Sequence, residues 1–475
     1  MNKYTVMAAG LVLSLGLVAG CGSSDGPEAG KAPEKGASGT PKDAPKAEGP
    51  VYSGPAIPGL ADKQAWSLPR ADAIDLGDAF LFVKTGAGEY AAGGGYKDDP
   101  LDGTTGLLHS TDQPGPVNLE FRDVKTGAVR KTLKVTADRV AATTWRDGVP
   151  AFEVRTTSTT ESDGLSAEGT TTTITVYGSD GTELGKAEHK GDTPFHVHEG
   201  HLIEQADQAT LQLTPIGGGQ PRKITCGGLQ ASCSFDPRNK DIDGGSGHAP
   251  LITGKYTFHV NNGSTYETDP EELVMSDLAT GAKVWSSDDV TPPKGVELDD
   301  KGVRTSGSIR VLDVRDGRIL TAWGAGAFLT DTWVTATYDL ASGKQIGGST
   351  RYAYEDFPGD TINTEGSSVF SADHQLAAAA TEKGTAVWQV ADGKEVWVQK
   401  EGEKLMTPLR LSPNGGVLYG TTEESDDTVL AVDARTKNVL VKDLPSDNVP
   451  LFSKQSGYGY VSTDAGFFVF PTAGR

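Results

Sequence analysis

The chain has 475 residues, and its 64 acidic side chains outnumber its 43 lysines and arginines, which gives a formal net charge of −21. A surface this acidic repels phosphate backbones and argues against nucleic-acid binding. Glycine (61 residues) and proline (26 residues) are frequent, and no long amphipathic pattern stands out. This composition argues against a helix bundle and against a doubly wound α/β enzyme.

Residues 1–20 have the pattern of an export signal. Lys3 supplies a positive charge, and the apolar stretch from Thr5 to Ala19 is shorter than the ~20 residues that a membrane span needs. The residues from Leu17 to Cys21 resemble a bacterial lipobox, in which cleavage precedes a cysteine that carries acyl chains such as palmitate. We expect a mature chain that begins at Cys21 and is lipid-anchored on the extracytoplasmic side of the cell membrane. The alternative is an ordinary signal peptide with a chance cysteine.

Residues 21–50 predict a disordered linker behind this anchor. From Gly22 to Pro50 the chain has no Leu, Ile, Val or aromatic residue, so nothing there offsets the entropy cost of ordering. A flexible chain of this length spans about 30 Å on average. The folded domain is therefore expected over residues 51–475.

A repeated turn divides this domain. Asp can hydrogen-bond the turn backbone, Thr or Ser can add a second bond, and Gly accepts a positive φ. Because strand-like segments flank each copy, each one predicts a hairpin. The copies end at Gly127, Gly181, Gly217, Gly281, Gly343, Gly393, Lys437 and Gly474.

The spacing of these turns predicts the architecture. Successive copies lie 36 to 64 residues apart, and a period of about 40–50 residues is typical of β-propellers. We therefore predict an all-β propeller with eight four-stranded blades, or seven if the weak copy at Gly217 is left out. The last copy leaves its blade without an outer strand, which Trp66–Leu68 would supply and so close the ring.

Two later cysteines, Cys226 and Cys233, are separated by six residues. In an exported protein such a pair indicates a disulfide. The alternative is a two-thiolate metal site, which would need two more ligands.

Four of the eight histidines lie close together, at His189, His196, His198 and His201. On a strand His196 and His198 face the same side, and with His201 or Glu199 they have the ligand types that bind zinc or copper. The alternative is a polar strand and loop at a blade edge.

An acidic stretch with Asn239, Asp241, Asp243 and Gly244 resembles the start of a calcium loop. The glutamate that closes an EF-hand would fall at Pro250, so the pattern breaks, and a flexible acidic loop is the alternative. No cofactor is predicted, and calcium is the one metal ion that this loop suggests.

Threonine runs at Thr156–Thr160 and Thr170–Thr173 predict paired strands with one solvated face. The alternative is a surface that binds or carries glycans. Trp323 and Trp333 have side chains of the type that faces a sugar, although packing between blades also accounts for them.

One copy of the turn carries a wider pattern. Asp277, Thr280, Gly281 and Trp285 together resemble the repeat of pyrroloquinoline-quinone-type β-propellers, in which the tryptophan docks between neighbouring blades. Trp397 has the same spacing from its turn. The resemblance runs from Trp66 to Gly474, and WD40-like propellers are the nearest alternative. Other copies carry Lys131, Gly185, Gly347 or Val441 at the tryptophan position, which implies degenerate docking.

Quinone-dependent enzymes of that family typically carry adjacent cysteines over the quinone and a metal ion held by Glu, Asn and Asp. This sequence has no adjacent cysteines and no recognisable ligand set, so no catalytic residue is assigned. We interpret the chain as a non-catalytic scaffold that binds a protein or an envelope component through its rim or channel mouth. The alternative is an enzyme or sensor that binds a quinone, a metal or a sugar.

Overall fold

The residues that the computed structural model describes form β-strands, short turns and one 3-10 helix, Ser446–Asn448. The described ranges are 49–85, 88–92, 106–160, 169–207, 210–225, 251–253, 255–262, 271–278, 280–304, 309–315, 317–326, 332–353, 371, 373, 375–381, 384–422, 425–453 and 456–473. No α-helix occurs in these ranges, and the prediction of an all-β fold is confirmed. The same ranges contain no helix of the length and apolar character that a membrane crossing requires.

The strands in chain order are β1 (Trp66–Leu68), β2 (Ile74–Asp75), β3 (Ala79–Lys84), β4 (Leu107–Asp123), β5 (Val129–Trp145), β6 (Val149–Thr160), β7 (Gly169–Tyr177), β8 (Glu183–Lys190), β9 (Phe195–His198), β10 (His201–Asp207), β11 (Thr210–Pro215), β12 (Arg222–Thr225), β13 (Leu251–Thr253), β14 (Tyr256–Asn262), β15 (Glu271–Asp277), β16 (Lys283–Ser286), β17 (Ile309–Arg315), β18 (Arg318–Gly324), β19 (Thr332–Asp339), β20 (Gln345–Ala353), β21 (Leu376–Thr381), β22 (Gly384–Gln389), β23 (Glu395–Val398), β24 (Met406–Leu411), β25 (Val417–Thr422), β26 (Ser425–Asp433), β27 (Val439–Pro445), β28 (Leu451–Phe452), β29 (Tyr458–Thr463) and β30 (Gly466–Pro471).

These strands pair into antiparallel meanders. We number the sheets in chain order: sheet 1 is β2–β8, sheet 2 is β9–β12, sheet 3 is β13–β16, sheet 4 is β17–β20, sheet 5 is β21–β23, sheet 6 is β24–β27, and sheet 7 is β28–β30 with β1.

Sheet 1 contains two meanders that share one long strand. The first part of β5 pairs with β4, and its last part pairs with β6, where Arg139 lies opposite Arg155 and Trp145 lies opposite Val149. We call β2–β4 with the start of β5 the front half, and the end of β5 with β6–β8 the back half. If the two halves are separate blades, the propeller has eight blades, and if they form one blade, it has seven. The blade number therefore stays a prediction.

The repeated turn forms as its chemistry predicts. Asp123 Oδ1 accepts hydrogen bonds from the backbone N–H of Thr126 at 2.8 Å and from Thr126 Oγ1 at 2.9 Å. Gly127 follows with a φ of 68°, which a residue with a Cβ adopts only with strain. The turns at Asp277 and Asp339 have the same two bonds.

The chain ends meet in sheet 7. Strand β1 pairs with β30, where Trp66 lies opposite Val469 and Leu68 lies opposite Phe467. The expectation that Trp66–Leu68 completes the last sheet is confirmed.

Tryptophan side chains join neighbouring sheets. The indole Nε1 of Trp285 on β16 donates to Leu340 O of sheet 4 at 2.9 Å, and Trp397 on β23 donates to Ala434 O of sheet 6 at 2.9 Å. Trp66 makes the equivalent bond from β1 to sheet 1. Each accepting carbonyl belongs to the residue that follows the aspartate of a repeated turn. The tryptophans therefore dock between neighbouring sheets, as the resemblance to pyrroloquinoline-quinone-type propellers implies.

Basic side chains do the same at two further positions. Lys131 Nζ donates to Asp180 O at 2.9 Å and to Gly181 O at 3.1 Å, which joins the two halves of sheet 1. Arg222 on β12 donates to Asp277 O at 3.0 Å and also to Leu278 O. Docking is therefore less degenerate than the sequence implied.

The remaining contacts complete a ring. Thr350 Oγ1 donates to Gly393 O at 2.7 Å between sheets 4 and 5, and Arg410 Nη1 donates to Pro450 O at 2.8 Å between sheets 6 and 7. Sheets 1 and 2 are joined by the contacts described below. Each sheet contacts the next, and the last returns to the first, so the fold is a β-propeller.

The hydrophobic core lies between the sheets. Trp323 packs on Tyr338 with ring centroids 5.9 Å apart in a cluster shared by sheets 3 and 4, and Trp333 belongs to the cluster shared by sheets 4 and 5. Both tryptophans are buried. The idea that they face a sugar is wrong, because packing between the sheets occupies them.

Candidate functional site at the joint between sheets 1 and 2

The clustered histidines lie at one joint of the ring. His189 is on β8, His196 and His198 are on β9, and His201 is on β10. The pairing of β9 with β10 places His198 directly opposite His201. The four side chains thus surround the boundary between the back half of sheet 1 and sheet 2.

Two of the histidines and Glu199 make side-chain contacts, two of which cross the joint. His198 Nδ1 lies 3.4 Å from Thr144 Oγ1, and His201 Nδ1 lies 2.9 Å from Glu199 O. The Glu199 carboxylate accepts a hydrogen bond from the backbone N–H of Gly148 at 3.0 Å. Across the described ranges, no three His, Cys, Asp or Glu side chains come together in a group that could hold a metal ion.

Other predicted site residues lie outside the described ranges. They are Cys21, Cys226, Cys233, Asn239, Asp241 and Asp243. Lipidation, the disulfide and the calcium loop therefore stay predictions.

The main feature of the joint is a buried carboxyl group. Glu153 on β6 is 3% exposed. Its Oε1 accepts hydrogen bonds from Arg155 Nε at 2.9 Å and Arg155 Nη2 at 2.6 Å, and Arg139 Nε lies 3.9 Å from the same oxygen. Its Oε2 has no hydrogen-bond partner among the described residues. Burial raises the pKa of Glu153, and the charges of Arg155 and Arg139 offset only part of that rise.

A second pair spans the joint. His189, which is also buried, places Nδ1 2.7 Å from Glu204 Oε1 on β10. The ring of Phe195 lies 4.4 Å from the His189 ring and 4.2 Å below the Arg155 guanidinium. One aromatic side chain of sheet 2 therefore contacts both polar pairs.

This joint also lacks a docking side chain, because Gly185 stands at the tryptophan position. A Cβ at Gly185 would lie 3.0 Å from Ile216 and 3.1 Å from Trp145, so the two sheets approach closely here. A backbone bond from Gly217 N to Lys186 O, at 3.3 Å, joins them instead. Buried polar groups thus occupy the joint where the indole contact is missing.

The front half of sheet 1 offers an instructive contrast. Glu120 is as buried as Glu153 and also precedes an arginine by two residues. Its carboxylate accepts from Tyr90 OH at 2.6 Å, from Arg122 Nε at 2.6 Å and from Lys84 Nζ at 2.9 Å. Burial acts to raise the pKa of Glu120, but these donors outweigh it and lower the pKa.

These polar groups were missed by sequence reasoning. A Glu-x-Arg pair on a predicted strand places both side chains on one face, and that spacing at Glu153 and Glu120 was a usable signal. The difference between the two environments depends on which sheet each face meets, and strand spacing carries no such information. Chemically, Glu153 can hold a proton inside the joint, whereas Glu120 is held ionised.

The two faces of the ring differ. One face, which we call the turn face, carries the repeated Asp turns. The opposite face, which we call the open face, carries the far ends of the same strands. The threonine runs lie there as paired strands, with Thr156 opposite Thr173 and Thr159 opposite Thr170. That pairing agrees with the sequence prediction, and residues 158–160 are exposed.

Comparison with known proteins adds little to this geometry. No protein-family model matches the chain, and no curated protein matches it by sequence. The solved structures that resemble it include the Dos1 propeller, with 12% identity, a TM-score of 0.36, and coverage of 85% of this chain and 94% of that chain. KlAtg21, in complex with the coiled coil of AgAtg16, shares 11% identity over 70% of this chain and 94% of that chain, with a TM-score of 0.35.

A quinohemoprotein alcohol dehydrogenase, ADHIIG from Pseudomonas putida HK5, shares 13% identity with a TM-score of 0.28. That match covers 53% of this chain and 41% of the enzyme. Scores this low say nothing about activity or partners. The propeller fold rests on the closed ring of sheets.

Proposed function

We propose that the chain is a membrane-anchored, extracytoplasmic propeller lipoprotein that binds a protein or a cell-envelope component and catalyses no reaction. The observation that carries this proposal is the asymmetry between the two faces. The repeated turns close the turn face tightly, whereas β6 and β7 extend on the open face to an exposed hairpin arm that includes Ser158–Thr160. Irregular connections on a rigid scaffold are where propellers and other folds usually carry binding surfaces.

The charge of the sequence at the open face indicates the kind of partner. Four segments of the sequence join described strand ends that lie at that face, and together they hold 11 acidic and 3 basic residues. They are residues 93–105, 161–168, 226–250 and 263–270. A partner with a basic surface would be attracted to them, and salt would weaken that attraction.

The anchor rests on the lipobox-like sequence that ends at Cys21. If Cys21 is acylated, the substitution Cys21→Ala should move the protein from the membrane fraction to the soluble fraction. Cys226→Ala is the matched control, because it removes a cysteine without touching the anchor, and it should leave the protein in the membrane fraction. Equal fractionation of both variants would contradict the anchor.

Binding is tested by site-specific photo-crosslinking of the full chain in intact cells. A photoreactive residue at Thr159 on the open face should capture one discrete species. The same group at Lys125, an exposed residue of the turn face, is the control. Capture at Thr159 should decrease as the salt concentration rises.

A further inference from the structure

We propose that Glu153 is a proton-operated lock on the joint between sheets 1 and 2. The joint is tight while the carboxyl group carries a proton, and it loosens when the group is ionised. This inference stands independently of the partner and the membrane anchor.

The geometry of the carboxyl group supports the lock. An ionised carboxylate has about four acceptor sites, and burial is tolerated when donors fill them. At Glu153 the donors of Arg155 meet Oε1, whereas the buried Oε2 has none among the described residues. Ionising Glu153 therefore leaves the share of the carboxylate charge that lies on Oε2 without a hydrogen-bond donor among the described residues.

The surroundings of Glu153 contain few other charges. Strand β9 turns Phe195 and Val197 toward sheet 1, and His198 contacts sheet 1 at Thr144. Strand β7 contributes the apolar side chains Ile174 and Val176 to the same cluster. The charged or titratable side chains at the joint include Arg139 on β5, Arg155 on β6, His189 on β8 and Glu204 on β10. Like His198, Glu199 also contacts sheet 1, at Gly148.

The direction of the pH effect follows from the proton balance. A carboxyl group whose pKa is higher in the closed joint than in the open one binds its proton more tightly when the joint is closed. Glu153 therefore stabilises the joint most in acid, and this contribution is lost as the pH rises through the raised pKa. The contribution of Glu120 to stability changes with pH in the opposite direction, because its pKa is lowered.

The position of Glu153 explains why the joint would respond locally. Gly185 leaves this joint without the indole contact found at three other joints, so opening it breaks the contacts of His198 and Glu199 with sheet 1 but no indole bond. The pair between His189 and Glu204 and the contacts of Phe195 lie in the same joint. Ionising Glu153 should thus loosen β6 from β9 and β10 before the rest of the ring opens.

The test compares the wild-type chain with Glu153→Gln and with Glu120→Gln as the matched buried control. Amide hydrogen exchange, corrected for its intrinsic pH dependence, is followed between pH 5 and 9 in peptides from residues 149–160 and 195–207. Between the ordinary pKa of a glutamate and the raised pKa of Glu153, wild-type protection should fall by up to about tenfold per pH unit, the limit for one proton, and it should level off above the raised pKa. Protection in Glu153→Gln should stay level, and Glu120→Gln should keep the wild-type slope at this joint.

A second variant keeps the proposal testable if Glu153→Gln fails to fold. Arg139 is partly exposed, and its charge lowers the pKa of Glu153. Arg139→Gln should therefore move the pH at which the loosening levels off to a higher value. The proposal is overturned if wild type and Glu153→Gln show the same pH dependence, or if Arg139→Gln leaves the pH at which loosening levels off unchanged.

Discussion

Trp66 Nε1 donates a 2.7 Å hydrogen bond to the carbonyl oxygen of Val124, 58 residues further along the chain. Trp66 lies on the N-terminal strand of sheet 7, and Val124 follows the first motif aspartate of sheet 1. One bond therefore joins the last sheet to the first and closes the ring.

We expect Trp66→Phe to destabilise the protein by about 1 kcal/mol, the usual net value of a hydrogen bond. Chemical denaturation measures this loss. Trp397→Phe is the matched control, because it removes the same kind of bond between sheets 5 and 6, neither of which contains the N-terminal strand β1. Faster amide exchange at Trp66–Leu68 is expected only in Trp66→Phe. An unchanged unfolding midpoint in that variant would argue against the role of this bond.

Two features of the first turn require a glycine at position 127: the positive φ of its backbone and the close approach of the Trp66 ring. Gly127 has a φ of 68°, and a Cβ there would lie 2.6 Å from Trp66 Cδ2. Gly317 has a φ of 74° with nothing within 4 Å of such a Cβ. Both alanine variants should cost about 1–2 kcal/mol of backbone strain, and Gly127→Ala should cost clearly more because it displaces Trp66. Thermal unfolding of the two variants checks this, and equal losses would contradict it.

The segment before β1 is packed along sheet 7. The Tyr52 ring lies 5.2 Å from the Phe468 ring and 5.3 Å from the Phe470 ring, and its hydroxyl accepts a hydrogen bond from Asn448 Nδ2 at 2.8 Å. Burial raises the pKa of Tyr52 to about 12. An ultraviolet difference titration of wild type against Tyr52→Phe should show this tyrosine ionising near pH 12. A midpoint near the ordinary value of about 10 would show that the segment does not pack as described.

Glu120 should make stability depend on pH in the acidic range. Because its pKa is lowered in the folded protein, its contribution is present at neutral pH and is lost as the pH falls through that pKa. Glu120→Gln should cost about 3 kcal/mol at pH 7, as for a broken buried pair. The gap from wild type should narrow toward pH 3 in denaturation curves. A gap that is constant with pH would mean that the carboxylate is not held ionised by Tyr90, Lys84 and Arg122.

Much of the fold could be predicted because it depends on local chemistry. The Asp turns, the hairpins and the closure by Trp66–Leu68 follow from residue types and their spacing along the chain. The indole bonds of Trp285 and Trp397 agree with the repeat that their turns resemble. These features need no knowledge of how one sheet meets the next.

The joint between sheets 1 and 2 could not be predicted in the same way. Docking by Arg222 and the two environments of Glu120 and Glu153 depend on the register between separate sheets. The histidine cluster showed where polar groups concentrate, but its members contact Thr144 across the joint, the Glu199 carbonyl and the Glu204 carboxylate. Sequence spacing alone contains neither fact.

The most direct test of the proposed function is photo-crosslinking from the two faces of the ring in intact cells. A photoreactive group at Thr159, on the exposed end of the β6–β7 pair, should give one discrete adduct in chains that retain Cys21. The same group at Lys125 should give none, and Cys21→Ala should reduce the adduct from Thr159. Equal capture from Thr159 and Lys125, or no adduct from either position, would contradict the proposal that this is an anchored binding module that uses its open face.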